Sequence, residues 1–211
     1  VTTSTKRRVE GARKVRINND GREEIRRGVF PDRGKLYAPA MDGELLKILV
    51  QHCAHYDLRM TKSDAVQCFL NNSMEEAENR REILIYLSEY ECGVRGGSYY
   101  KVDAVSYGCA DASREWYERI RAAMEEMGYT VSVYHPCLYI KRTSDGGMVI
   151  AGIATDDMFI GSSKNKAGRE AMVELRAGLD SRHKWKHYEE PGDVLGAQIT
   201  AHEDGTVTMI Q

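Results

Sequence analysis

Three aspartates are the residues of this chain best placed to do chemistry. Asp156 and Asp157 stand side by side between the apolar runs Met148 to Ala154 and Met158 to Ile160, where a tight turn would present both carboxylates at one point. Asp64 lies far upstream in Lys62-Ser-Asp-Ala-Val-Gln-Cys-Phe-Leu70, followed by the aromatic Phe69. Carboxylates drawn from two distant segments can make one cation site, because a hard ion such as Mg2+ prefers oxygen ligands and keeps part of its water. Two such ions about 3.5–4 Å apart bind both the attacking and the leaving oxygen of an in-line displacement at phosphorus. An Asp pair alone is also what a solvated hairpin tip contains, since turns favour aspartate. The surrounding segments decide between these readings.

Ile153-Ala-Thr-Asp-Asp-Met-Phe-Ile-Gly161 resembles the Tyr-x-Asp-Asp strand-turn-strand of reverse transcriptases, and further segments follow the order of the copia-type LTR retrotransposon enzymes. Lys35-Leu-Tyr-Ala-Pro39 is similar to the family's Phe-Ala-Pro segment, Ala54-His55 to its Ala-His, and Asp64 falls where its first catalytic aspartate falls. Tyr107-Gly108, Ala112, Arg114 and Trp116-Tyr117 keep the frame of Tyr-Gly-Leu-Lys-Gln-Ala-Pro-Arg-Ala-Trp-Tyr. Pro136-Cys-Leu-Tyr139 and Leu195-Gly196 complete a series that covers roughly residues 10 to 211.

The resemblance implies an RNA-directed DNA polymerase core that works by two-metal nucleotidyl transfer. In it Asp64 and Asp156 bridge two Mg2+ ions, for which Mn2+ can substitute, and Asp157 is the more peripheral acid. Phe69 takes the position of an aromatic ring that excludes a ribose 2′-hydroxyl; the plainer alternative is a core aromatic on a strand. Lys14-Val-Arg16 matches a Lys-Ala-Arg finger motif, which makes Lys14 and Arg16, with Tyr107 and Gly108, the substrate-binding positions. The implied partners are an RNA or DNA template-primer, deoxynucleoside triphosphates, and the thumb and RNase H of a Pol polyprotein. The implied address is cytoplasmic, with the nucleus as a second location, and the oligomeric state is left open.

Several positions depart from that pattern. Ala154-Thr155 stands where the family has Tyr-Val before the aspartates, and Cys109-Ala-Asp-Ala-Ser113 replaces Leu-Lys-Gln-Ala-Pro, putting Asp111 near a nucleotide pocket. The sequence reaches Met209-Ile-Gln211 where the family runs on into its thumb. These departures motivate an alternative expectation: a catalytically decayed or domesticated fold serving as a nucleic-acid-binding or structural subunit.

The elements that must position these residues read as α+β: reverse-transcriptase-like fingers and palm, an antiparallel sheet backed by helices, with the thumb absent. A single domain over 1–211 is expected, with about 1–60 and 72–110 finger-like and about 61–71 and 111–211 palm-like. Asp42 can cap a helix through Leu45, Leu46, Leu49, Val50 and Cys53. Asp57 to Phe69 should form the strand carrying Asp64, Met74 to Arg81 a polar helix, and Glu82 to Leu87 a strand. A helix capped by Asp111 or Ser113 runs through Trp116, Ile120, Ala123, Met124 and Met127 to Gly128. Strands Cys137 to Arg142 and Met148 to Ala154 flank an Asp-Gly turn, a strong hairpin signal. A last helix spans Lys164 to Leu179, and Val194 to Ile199 pairs with Thr206 to Ile210 as a closing hairpin.

With 211 residues, 42% of them hydrophobic, the chain can bury a core of its own. No apolar run approaches the roughly 20 residues of a membrane span, and no secretory leader is visible. Five cysteines without C-x-x-C spacing suit reduced thiols rather than disulfides. The net charge of −2 hides an asymmetry: residues 1–35 carry eleven Lys or Arg against five acids, so the remainder carries −8. That basic front is either a strand touching nucleic-acid phosphates or a solvated arm. Arg182-His-Lys-Trp-Lys-His187 offers Lys184, Trp185 and Lys186 for backbone contact and stacking. His183 and His187 would chelate zinc only if helical, and no acid or Cys at zinc spacing accompanies them.

Overall fold

The computed structural model describes residues 2–7, 13–18, 21–30, 32–71, 82–202 and 204–211. In chain order its elements are β1 (Thr2–Arg7), β2 (Arg13–Asn18), α1 (Gly21–Arg26), α2 (Gly43–His55), β3 (Arg59–Ala65), β4 (Leu84–Leu87), α3 (Glu89–Cys92) and β5 (Ser98–Lys101). There follow α4 (Ala112–Glu126), β6 (Thr130–Val131), β7 (Leu138–Arg142), β8 (Met148–Ala154), β9 (Asp157–Ser162), α5 (Lys166–Asp180), β10 (Trp185–Tyr188), β11 (Gly192–Val194), β12 (Ala197–Ala201) and β13 (Val207–Ile210). The helix expected over Met74 to Arg81 lies outside the described residues. The architecture is α+β, and every strand pairing is antiparallel.

The chain divides into two compact units, Val1–Ala38 with Phe69–Trp116 and Pro39–Cys68 with Tyr117–Gln211. The first holds two hairpins, β1 with β2 and β4 with β5. It also has a small core of Val105, Cys109 and Ala112, against which Phe69, Ile83 and Val102 pack.

The second unit is built on a six-stranded sheet of order β10-β3-β9-β8-β7-β6, with a separate three-stranded sheet β11-β12-β13. β8 and β9 are buried almost along their whole length, as strands covered on both faces must be. On one face lies α2, whose Asp42 cap accepts a hydrogen bond from Leu45 N (2.8 Å) and whose Leu45, Leu46, Leu49, Val50 and Cys53 are buried. Gly152 and Gly161 let α2 approach the sheet, since a Cβ on Gly152 would stand 2.5 Å from Leu49 Cδ1 and one on Gly161 would run into Cys53 Sγ. On the other face lies α5, started by Asn165 accepting from Gly168 N (2.8 Å) and packed through Ala171, Met172, Leu175 and Leu179. Between α5 and the sheet is a cleft lined by Arg59, Thr61, Ser162, Met172 and Arg176.

α4 ends as its sequence predicts: Gly128 adopts φ +81°, and Tyr129 N donates to Met124 O (2.9 Å). Three expectations need correction. The strand bearing Asp64 stops at Ala65, because Gln67 turns the chain at φ +56°; Phe69 therefore sits on a 3-10 turn, Cys68–Asn71, and not on a strand. Val194 to Ile199 is not one strand. Leu195 and Gly196 take φ +52° and +75° and make a two-residue hairpin that pairs Val194 with Ala197. Finally, Trp185 is buried at 6% exposure in β10, so its ring is a core residue and offers no face to a base.

Candidate active site

The three aspartates meet through strand pairing within the second unit. Asp64, next to the end of β3, is the direct cross-strand partner of Asp157, the first residue of β9. Directly opposed residues in an antiparallel pair share a face, with Cβ atoms about 4.5–5.5 Å apart. Ala154 pairs with Asp157, so Thr155 and Asp156 form a two-residue turn between β8 and β9. That turn is fastened to β3 by Ala65 N donating to Asp156 O at 2.8 Å. Thr155 holds φ +54°, a left-handed conformation that a β-branched residue adopts only at a cost.

Alternation settles which face carries the acids. Thr61 lines the cleft beside α5, so Met60, Lys62 and Asp64 look the other way, onto the face where α2 covers Gly161 and Gly152 farther from the turn. The α5 face behind Asp64 is closed by hydrogen bonding: Ser63 Oγ is 2.8 Å from His187 Nδ1, and His187 Nε2 is 3.2 Å from Asp180 Oδ2. Ser63 is fully buried, so this chain of polar groups ties β3 to β10 and α5 and exposes no nucleophile. His187 lies on a strand, and the i,i+4 helical geometry that a zinc site with His183 required is absent.

The electrostatics of the acid face follow from its neighbours. Asp156 is held above the ordinary carboxylate range, first by partial desolvation at the turn and then by the negative charges of Asp157 and Asp64; its own backbone N–H works in the opposite direction. Two lysines that the sequence did not connect with the acids complete the patch. Lys62 Nζ pairs with Asp157 Oδ1 at 2.8 Å and donates to Asp193 O at 2.6 Å. Lys186, exposed on β10, is the cross-strand neighbour of Asp64 on the side away from Asp157. The signal for Lys62 was available in the period of two that puts it on Asp64's face, whereas nothing local placed Lys186 there.

The chain's sequence matches the profile of the family described as "Reverse transcriptase (RNA-dependent DNA polymerase)" over residues 1–211. The chain belongs to the reverse transcriptase family. It is also 24% identical, over 179 residues and 83% of its length, to the "Retrovirus-related Pol polyprotein from transposon TNT 1-94" of Nicotiana tabacum. It spans 12% of that relative's length. The resemblance to copia-type enzymes read from the motifs thus holds at the level of the family.

Reverse transcriptases use divalent metal ions such as Mg2+. The donors here fit that chemistry: the candidate acids offer only oxygen ligands, at the end of one strand pair. Among the described residues no three His, Cys, Asp or Glu side chains already form a cage. Mg2+ is ordinarily bound by one or two carboxylates plus substrate phosphates, so a dedicated cage is not required for a fit.

The other residues expected to act in the reverse transcriptase lie in the first unit. Phe69 and Tyr107 touch edge-on, with ring centroids 5.0 Å apart, and Phe69 also packs on the small core. Gly108 takes φ +87°, and its carbonyl oxygen would stand 2.6 Å from a Cβ on Gly21, so both positions suit glycine. The neighbouring Ala110 N donates to Glu24 Oε2 at 2.8 Å. Lys14 and Arg16 lie on β2, and their side chains are outside the described residues. Among the described residues no helix is long and apolar enough to cross a membrane.

Proposed function

We propose that this chain is the polymerising core of a copia-type retrotransposon reverse transcriptase, extending a DNA primer on an RNA or DNA template with deoxynucleoside triphosphates. The observation that carries this reading is the pairing of Asp64 with Asp157, with Asp156 at the adjoining turn. Asp64, Asp156 and Asp157 would hold two Mg2+ ions, or Mn2+ in their place. When bound, the ions neutralise charge on the triphosphate and on the attacking 3′-oxygen. The side chains position and neutralise, since transfer at phosphorus asks little covalent work of a protein. The raised pKa of Asp156 means that ion binding also has to draw off any proton it carries, which ties activity to pH.

Phe69, braced by Tyr107, is assigned the exclusion of a ribose 2′-hydroxyl, and Lys14, Arg16, Tyr107 and Gly108 the binding of template or nucleotide. In this reading about 1–60 and 72–110 are finger-like and about 61–71 and 111–211 palm-like; the two compact units divide the chain differently, with residues 39–60 in the second unit and 69–71 in the first. The partners are nucleic acid and other parts of a Pol polyprotein, and the work is done in the cytoplasm. Magnesium-dependent primer extension, assayed with a thumb-bearing polypeptide that includes this chain, is the test. Asp156→Asn should lower it by roughly a hundredfold or more. Extension that is indifferent to that substitution removes the mechanism.

A second reading, a nucleic-acid-binding or structural subunit, draws on the Lys62 pair with Asp157 and on Ala154-Thr155 before the aspartates. It predicts a function that survives replacement of all three acids.

A further inference from the structure

Lys62 is the one ammonium among the described residues paired to a member of the acid triad. Its side chain is 15% exposed and that of Asp157 25%, so the pair is largely shielded from solvent, unlike most surface ion pairs. The same ammonium donates to the carbonyl of Asp193 on β11 at 2.6 Å. An ammonium has three donors, so Lys62 can release Asp157 and remain anchored at Asp193. A divalent cation on Asp157 could not share that carboxylate with Lys62 at no cost, since like charges at such range repel.

We propose that Lys62 is a positioning residue that holds Asp157 while the site is metal-free and yields it when a divalent cation binds, swinging on its Asp193 anchor. The exchange is one counter-ion for another and involves no covalent step. The inference rests on Asp64, Asp156 and Asp157 being metal ligands. It assigns Lys62 two effects of opposite sign: it stabilises the metal-free fold by quenching repulsion among three acids, and it weakens metal binding by competing for one of them. Lys186 makes a useful contrast. It adds positive charge beside Asp64 but, among the described residues, forms no ion pair with an acid of the triad.

The experiment is a titration of the chain with Mn2+, following the free ion by electron paramagnetic resonance, with melting measured in parallel in chelator. Lys62→Met should bind Mn2+ about tenfold more tightly than the parent and melt at a lower temperature without metal. Lys62→Gln, which keeps a donor for the Asp193 carbonyl, should show the same tightening if Met perturbs the fold. Lys62→Arg should stay near the parent, and Lys186→Met should change affinity by less than about threefold, as an exposed, solvent-screened charge would. The inference is overturned if both neutral Lys62 variants bind Mn2+ no more tightly than the parent, or if Lys186→Met gains as much as they do. If Asp64→Asn and Asp156→Asn also leave Mn2+ binding unchanged, the metal-site reading itself fails and takes the Lys62 exchange with it. Loss of binding in those two alongside no gain in the Lys62 variants refutes the exchange alone.

Discussion

Replacing Asp156 with Asn separates the cost of an acidic site from its use. The Asp156 carboxyl sits above its ordinary range through partial desolvation and through Asp157 and Asp64, so its ionised form costs the metal-free fold stability. Because the folded pKa is the higher one, that cost is absent below the unfolded pKa near 3.9 and fully present once pH exceeds the folded value. Asn cannot ionise, yet its side-chain oxygen can still accept from the backbone N–H that Asp156 uses. The side chain meets solvent at the turn, so the gain is screened to less than about 1 kcal/mol. For a chain of this size that is about 1–3 °C in Tm. Thermal melts in chelator should find Asp156→Asn the more stable protein at about pH 7 and level with the parent at about pH 3. Saturating Mg2+ should reverse the order, since the parent alone gains binding free energy from the ion. A variant that melts lower at neutral pH in chelator, or whose advantage persists in acid, would refute the electrostatic account.

Gly152→Ala should destabilise by about 1–3 kcal/mol, because its Cβ meets Leu49 on α2 and Met41 just ahead of that helix; a denaturant midpoint measures it, and an unchanged midpoint would mean that α2 does not pack as described. Thr155→Gly should raise Tm by a degree or two, the relief of a left-handed threonine offset in part by glycine's larger chain entropy; a lower Tm would show the turn unstrained. Burial pushes the thiols of Cys53 and Cys137 up to about 12, so at mildly alkaline pH iodoacetamide should label half-buried Cys92 well before either, read by peptide mass spectrometry.

What could be read from the chain itself was whatever repeats locally. The apolar stripes of α2, α4 and α5 and the Asp-Gly turn between β7 and β8 stand close to where periodicity and capping put them. The turn at Leu195-Gly196 was not read as one because leucine rarely takes a positive φ, and the apolar residues on either side looked like one strand. Trp185 was misjudged because its basic neighbours alternate with it: the lysines point to solvent and the indole inward, a distinction that composition does not carry. For the site, the acids could be picked out from residue type and motif. Their setting could not. The Lys62 pair, the Lys186 neighbour and the Ser63-His187-Asp180 chain depend on which strands lie side by side, which residues distant in sequence decide together.

The alternation along β3 bears on how this chain can change over generations. Asp64 and Ser63 are adjacent, yet one looks onto the acid patch and the other into a sealed polar network. Substitutions along the strand touch one face at a time and can be absorbed one by one. Losing or gaining a single residue between Arg59 and Asp64 would turn the carboxylate toward α5 and leave Ala65 or Ser63, respectively, in its place. Copies of such a gene can therefore drift far in spelling while this short stretch keeps its length, and a one-codon deletion there would silence a copy more surely than many point changes.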